Sequence, residues 1–252
     1  MLKEMTLDGT FTDKVKVAID RLKQYEPPEG YYLAFSGGKD SVVCYDLLFR
    51  NDIPFDAHFH FTTVDPPELL QFIKENYPQV EWHRPKESMF QLIVRKGFPP
   101  TRQKRYCCSI LKESGGTNRT VVSGIRWDES KNREKRKVTE KYGNKIMVNP
   151  IIDWKTEDVW EYIKKNNVKY CSLYDKGYDR IGCIMCPIQK KSGMLRDIER
   201  YPKFYKAYMR AFQRMIDKAD KTKIRGWDTA EDVMSWFINC PSLCAEQCQL
   251  FE

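Results

Sequence analysis

The sequence predicts an α/β protein: a parallel twisted sheet with helices on both faces, followed by a mostly helical C-terminal part. Three observations carry that expectation. Strand-length apolar runs alternate with helix-period segments through the first part of the chain. One strand-like run ends in Ser36-Gly-Gly-Lys-Asp-Ser41, directly before a helix-like stretch. After Asn149-Pro150 the pattern turns to helix and to segments rich in Lys, Arg and aromatic residues, dividing the chain into an α/β domain, 1–150, and a helical part, 151–252.

Helix-period apolar residues run over 15–22, and Pro27, Pro28 and Gly30 stop the pattern before a strand at 31–35. A helix at 40–51, a strand at 55–61, a helix at 67–77 and a short strand at 80–83 follow. Further strands are expected at 120–124 and 146–148, and a helix at 156–163 with Thr156 as its cap. Alternation at this spacing implies a parallel sheet whose ligands sit at the carboxyl ends of its strands. Ser36 to Ser41, Thr62 to Asp65 and Gly124-Ile-Arg126 all fall there. In the C-terminal part Phe204, Tyr208, Phe212 and Met215 share one helical stripe, which reads as core packing.

Ser36-Gly-Gly-Lys-Asp-Ser41 reads as a phosphate cradle. Two glycines after a strand let the backbone turn with positive φ and approach a ligand, so that N–H groups and the next helix N-terminus converge on an anion. Lys39 adds a charge, and Ser36 and Ser41 add hydroxyl donors. The spacing is not that of the Walker loop and resembles that of the pyrophosphate-loop enzymes.

The chain of 252 residues is long enough to bury a core unaided, so a metal is not needed merely to fold it. It has no apolar run of membrane-spanning length and no signal-like N-terminus, and a cytoplasmic protein with no membrane partner is expected. The net charge of +8 favours anionic partners, nucleotides and nucleic acid alike, without choosing among them. Residues 126–141 carry seven basic and four acidic side chains and read as a solvated, mobile excursion.

Nine cysteines in a reducing compartment point to metal or redox chemistry rather than disulfides. Cys107-Cys108 and the turn Cys183-Ile-Met-Cys186 form two tight pairs suited to one metal site. The vicinal pair favours a [4Fe–4S] cluster, with zinc and unligated or redox thiols as alternatives. Arg102, Lys104, Arg105 and Lys112 would offset thiolate charge. Cys44 and Cys171 read as packing thiols. The three histidines, His58, His60 and His83, lie in or beside strands, show no ligand spacing and read as structural.

Ordered motifs from 31 to 187 together resemble the phosphoadenosine phosphosulfate reductase family of the adenine nucleotide alpha-hydrolase-like superfamily. They are Ser36 to Ser41, Arg105-Tyr-Cys-Cys108, Gly124-Ile-Arg-Trp-Asp-Glu-Ser130, Asn149-Pro-Ile-Ile-Asp-Trp154, Leu173-Tyr-Asp-Lys-Gly177 and Gly182-Cys-Ile-Met-Cys186. The resemblance implies a [4Fe–4S] cluster on Cys107, Cys108, Cys183 and Cys186 beside a substrate sulfate. It further implies that Ser36, Gly37, Gly38, Lys39, Asp40 and Ser41 hold the phosphate or sulfate end, that Thr62, Thr63, Gly124 and Arg126 help hold the nucleotide, and that Asp65 orients a metal such as Mg2+ or a ribose. Reduction in that family also uses a thiol on a C-terminal Glu-Cys-Gly-Leu-His segment. Here the corresponding region reads Cys240-Pro-Ser-Leu-Cys244-Ala-Glu-Gln-Cys248, which makes Cys240, Cys244 and Cys248, with Lys39, the catalytic candidates.

Three functions follow as expectations. The first is a sulfonucleotide reductase-like enzyme acting on adenylyl sulfate or its 3′-phosphate, served by an electron donor protein. The second is an ATP-using, adenylylating sulfur transferase that thiolates tRNA or DNA, served by a sulfur donor. The third is a non-catalytic nucleotide- or redox-sensing binding protein. The sequence leaves the oligomeric state open.

Overall fold

The computed structural model describes residues 2–5, 11–218 and 226–239. Its elements, in chain order, are β1 (Lys3–Met5), β2 (Phe11–Asp13), α1 (Lys14–Gln24), β3 (Tyr31–Ala34), α2 (Lys39–Arg50), β4 (Phe55–His60), α3 (Pro67–Asn76) and β5 (Glu81–His83). Then come α4 (Met89–Lys96), α5 (Tyr106–Leu111), β6 (Thr120–Val122), α6 (Lys131–Glu134), β7 (Thr139–Tyr142), β8 (Lys145–Val148) and α7 (Thr156–Lys165). Three helices close the described chain: α8 (Lys191–Arg200), α9 (Pro202–Lys218) and α10 (Ala230–Asn239). The predicted class is the observed one, a largely parallel sheet flanked by helices and followed by a helical C-terminal part.

Two compact units arise, each from three stretches of sequence. The first, residues 1–60, 67–83 and 114–181, holds a sheet of order β5-β4-β3-β6-β8-β7, parallel except for β7 against β8. Chain order reverses between β3 and β6, which makes their carboxyl ends the switch point where such sheets bind ligands. Tyr31, Tyr32 and Leu33 of β3 are all buried, as a central parallel strand covered on both faces requires. Beside them lie the buried Val42, Val43, Leu47 and Leu48 of α2 and Val121 and Val122 of β6, and Val148 of β8 continues the buried sheet beyond β6.

In this unit α7 corrects one expectation. Thr156 is not its cap: Lys155 occupies that position, and Asp158 accepts from Lys155 N at 2.8 Å while pairing with Lys14 Nζ at 2.8 Å. Thr156 instead gives its hydroxyl and its N–H to Asp128, both at 3.0 Å. Residues 126–141 are largely solvated, as expected, but carry regular structure. They form a 3-10 turn (Trp127–Glu129), α6 and the edge strand β7, tied by the ion pairs Arg133–Glu129 and Arg136–Glu140 and by Trp127 Nε1 donating to Arg136 O at 2.8 Å. Alternating charge at i,i+4 supports local structure here rather than preventing it.

The second unit, residues 61–66, 84–113 and 182–252, is helical among its described residues. Its core is Leu92 and Ile93 of α4, Leu111 of α5, Met194 of α8, Tyr208, Phe212 and Met215 of α9, and Val233 and Phe237 of α10. The stripe expected to pack does so, with Phe204 partly buried at its edge. The capping box at α4, Ser88 with Gln91, and Gly97 in the left-handed conformation bound that helix as the sequence chemistry allows. Among the described residues no helix is long and apolar enough to cross a membrane.

Candidate functional site

The loop after β3, expected to cradle an anion, closes tightly on itself within the first unit. Gly37 has φ +70°, and a Cβ there would meet Leu69 and Ile73 at 2.7 and 2.8 Å, so this position admits glycine alone without rearrangement. Gly38 caps α2 in extended conformation with no side chain of its own. Ser41 Oγ donates to Gly38 O at 2.9 Å and accepts from Ser36 N at 3.2 Å, closing the loop on itself. Lys39 is 5% exposed, with Nζ 3.3 Å from Asp40 and 3.5 Å from Asp179 O.

Around the cradle the chain gathers positive charge. Arg126 is 1% exposed and gives Nε to Asp40 Oδ1 at 2.7 Å, Nη1 to Trp154 O and Asp128 at 3.2 and 3.3 Å, and Nη2 to Thr156 at 3.4 Å. Its donors are thus committed to bracing Asp40 and the start of α7. Burial, and then repulsion from Arg180, Arg126 and Arg136, brings the Arg133 guanidinium down to about 10. A group pressed this way by its neighbours gains from any anion that enters. Gly124 lets β6 approach α2: a Cβ would stand 2.8 Å from that of Asp40.

Tyr174, not singled out from sequence although its motif was, is part of this cradle. Its phenol oxygen accepts from Lys39 N at 2.8 Å, and its ring lies 5.8 Å from Lys39 Nζ. The signal was available in Leu173-Tyr-Asp-Lys-Gly177, but a hydrogen bond to a helix N-terminus cannot be read from a motif alone.

The second unit gathers the thiols. Cys107 and Cys108 open α5, whereas Cys183 and Cys186 span a turn closed by Cys186 N on Cys183 O at 3.3 Å, with Met185 at φ +55°. The Cys107 thiol donates to Cys108, which drops to about 6 with help from Lys112 and Arg105 and against burial, and Cys107 is driven up by the same contact. Burial and the nearby Cys183 raise Cys186 to about 11. Lys112 is held charged chiefly by Cys183, then by Asp65, Cys186 and Cys108. The four sulfurs therefore share one electrostatic neighbourhood, yet among the described residues no three of them lie within 4.8 Å of one another.

The thiol turn is braced by residues that sequence reasoning missed. Buried Asp197 accepts from Met185 N at 2.8 Å and from Gln189 Nε2 at 2.9 Å, and Gln189 also donates to Cys183 O at 3.1 Å. Tyr208 OH donates to Ile184 O at 3.2 Å, and Arg102 reaches the carbonyls of Pro187, Ile188 and Gln189. Thr62 and Asp65, expected near a nucleotide, stand in this unit: Thr62 Oγ1 accepts from Cys183 Sγ at 3.4 Å, and Asp65 accepts from Thr62 N at 2.6 Å. Thr63, at φ +67°, accepts from Met89 N at 2.9 Å. Cys44 and Cys171 are buried thiols raised by that burial, as packing residues are. Cys240, Cys244 and Cys248 lie outside the described residues.

Comparison with known proteins gives these arrangements a family. The profile of the phosphoadenosine phosphosulfate reductase domain matches residues 30–189. The chain is 34% identical over 171 residues to an adenosine 5′-phosphosulfate reductase of Oceanobacillus iheyensis, covering 62% of this chain and 70% of that one. It is 33% identical over 196 residues to an uncharacterized protein of Methanocaldococcus jannaschii, covering 72% of this chain. The chain spans about half, 47%, of that relative's length. The crystal structure of a phosphoadenylyl-sulfate reductase from Candida auris, in its phosphate complex, shares the fold with a TM-score of 0.52 at 22% identity, covering 66% of this chain and 87% of that one. Because a single continuous match takes in the anion cradle, the Cys107-Cys108 pair and the braced thiol turn, the chain belongs to the phosphoadenosine phosphosulfate reductase family.

Proposed function

We propose that the chain is a sulfonucleotide reductase-like enzyme that binds adenylyl sulfate or its 3′-phosphate. The observation that carries the reading is the loop at 36–41, where a buried Lys39 opens a helix N-terminus, Arg126 pairs with Asp40, Arg133 feels the Asp40 charge and Arg180 acts on Tyr174. Such a surround favours a multiply charged anion over a neutral ligand. Ser36, Gly37, Gly38, Lys39 and Ser41 would hold phosphate or sulfate oxygens, Arg126 would keep Asp40 in place, and Gly124 would keep the space open.

Cys107, Cys108, Cys183 and Cys186 would hold a [4Fe–4S] cluster; the mutual electrostatic influence of the four thiols and the vicinal Cys107-Cys108 pair support that reading. When bound, such a cluster supplies polarising, redox-tunable charge. Lys112 and Arg105 would compensate the negative charge of the thiolates. Attack on the sulfate sulfur would fall to a thiol of Cys240, Cys244 or Cys248, forming a cysteine S-sulfonate and displacing AMP from adenylyl sulfate or adenosine 3′,5′-bisphosphate from its 3′-phosphate; an external thiol would then release sulfite and be oxidised to a disulfide with that cysteine.

The test uses anaerobically purified chain assayed for iron, sulfide and zinc, then incubated with each sulfonucleotide and a thiol reductant. Sulfite is expected from either nucleotide, with AMP as the second product from adenylyl sulfate and adenosine 3′,5′-bisphosphate from its 3′-phosphate. AMP and pyrophosphate from ATP in the presence of tRNA or DNA, without sulfite from either sulfonucleotide, would overturn the reading in favour of sulfur transfer.

A further inference from the structure

The chain has three histidines, and the sheet of the first unit brings all of them together. Taken separately they show no ligand spacing, but strand register supplies one. In the parallel pair β4 and β5, His58 stands opposite Glu81 and His60 opposite His83. Residues two apart on a strand share a face, so a His-x-His and a Glu-x-His sequence present four side chains to one side of the sheet at its β5 edge.

We propose that His58, His83 and Glu81 form a binding site for a borderline divalent transition-metal ion of the Zn2+, Co2+ or Ni2+ class, separate from the four thiols. His58 Nδ1 faces His83 Nε2 at 2.7 Å; Glu81 Oε2 stands 3.5 Å from His58 Nδ1 and Glu81 Oε1 3.5 Å from His83 Nε2, so the carboxylate faces both rings with one oxygen each. A tetrahedral ion with bonds of about 2.0–2.2 Å sets its ligand atoms about 3.4 Å apart. Each carboxylate oxygen is already at that spacing from one ring, and the imidazole nitrogens would need to part by about 0.7 Å, within the reach of small side-chain rotations. Two nitrogens and one carboxylate oxygen suit borderline ions and leave a fourth position for water.

The groups behind these ligands are those a metal site uses. His58 turns its far nitrogen, Nε2, onto Asp56, which Arg119 holds at 2.5 Å. A carboxylate on the distal N–H of an imidazole fixes its tautomer and leaves the other nitrogen with its lone pair. His58 Nδ1 is therefore the acceptor in the free protein and His83 Nε2 the donor. A metal takes the place of that shared proton, and His83 carries the proton on Nδ1 instead. Ring orientation is fixed by stacking: Tyr32 lies on His58 with centroids 4.0 Å apart, His60 lies on His83 at 4.6 Å, and Tyr32 OH meets His60 Nε2 at 2.7 Å. An ion here would join the short edge strand β5 to β4.

The test is a Co2+ titration of the untagged full chain, read by visible absorption and bound-metal analysis, with Glu81→Gln, His83→Gln and Cys183→Ser in parallel. Cobalt on nitrogen and oxygen gives weak visible bands, whereas cobalt on thiolates adds strong near-ultraviolet charge transfer. One equivalent without the sulfur band is expected in the native chain as purified with its thiol site filled, and Cys183→Ser should keep that nitrogen–oxygen-bound equivalent whatever sulfur band its freed thiols add. Binding should be at least about tenfold weaker in both Glu81→Gln and His83→Gln. Glu81 has a side chain that is 65% exposed, so its variant tests the site without disturbing the core. Native-like uptake by Glu81→Gln, or cobalt that always carries the sulfur band, would overturn the proposal.

Discussion

The anion cradle and the thiol turn are shaped by different means. The cradle takes its form from consecutive residues: Gly37 supplies the positive φ, Gly38 the open helix end, and Ser36 and Ser41 close the loop. The Cys183–Cys186 turn, by contrast, is held from outside by Asp197, Gln189, Tyr208 and Arg102, none of which is adjacent to it in sequence except through Gln189 and its neighbours. A loop built locally should tolerate loss of its charge and keep its shape. A turn built from distant side chains should lose its shape when one brace goes.

The largest expected effect tests whether the two regions have separate tasks. Cys183→Ser should abolish iron and labile sulfide in anaerobically purified protein while leaving nucleotide binding, measured by calorimetry, unchanged. If nucleotide binding disappears with the iron, the cradle depends on the thiols and the contrast fails.

Asp197→Ala comes next and tests the brace. Asp197 is 2% exposed and accepts from the Met185 N–H and the Gln189 amide, so its loss leaves two donors without that acceptor. At about 1–3 kcal/mol for each orphaned group, a destabilisation of about 3 kcal/mol in denaturant unfolding is expected, with iron content falling as well. Stability within error of the native chain would show that the turn holds itself.

What was legible in the sequence follows the same divide. Apolar alternation located β3, α2, β4, α3 and α7 to within a residue or two, because burial on a parallel sheet leaves a pattern in each strand. The cradle was legible because glycine chemistry is local. The cap of α7 was misread because a buried ion pair with Lys14, far away in sequence, fixed Asp158 rather than Thr156. The charged run at 126–141 is solvated as read, but its regular structure was not legible because it comes from pairing with β8 and from Arg–Glu pairs, and hydropathy does not report either. Asp197 and the histidine cluster were invisible for the same reason, since only register and tertiary contact bring their partners together.

Lys39→Ala is the third prediction and probes charge without shape. Removing the ammonium should weaken sulfonucleotide or phosphate binding by about 2 kcal/mol, about thirtyfold in affinity. Iron content should stay at the native level. An equal loss of both would mean that Lys39 supports the fold rather than the ligand.

Tyr174→Phe gives the smallest effect and sharpens the account of the cradle most. In the free protein the phenol oxygen takes the Lys39 N–H, one of the donors that a helix N-terminus offers to an anion. An arriving phosphate oxygen must compete for that donor. Without the hydroxyl, the free protein should lose about 1 kcal/mol of stability, because a helix-end donor loses its partner. Anion binding should tighten by about fivefold, since the ligand then satisfies a group that was left waiting. Weaker binding in Tyr174→Phe would reverse the assignment. The hydroxyl would then be a ligand contact rather than a placeholder, and the cradle would owe part of its specificity to a residue distant in sequence, as the thiol turn does.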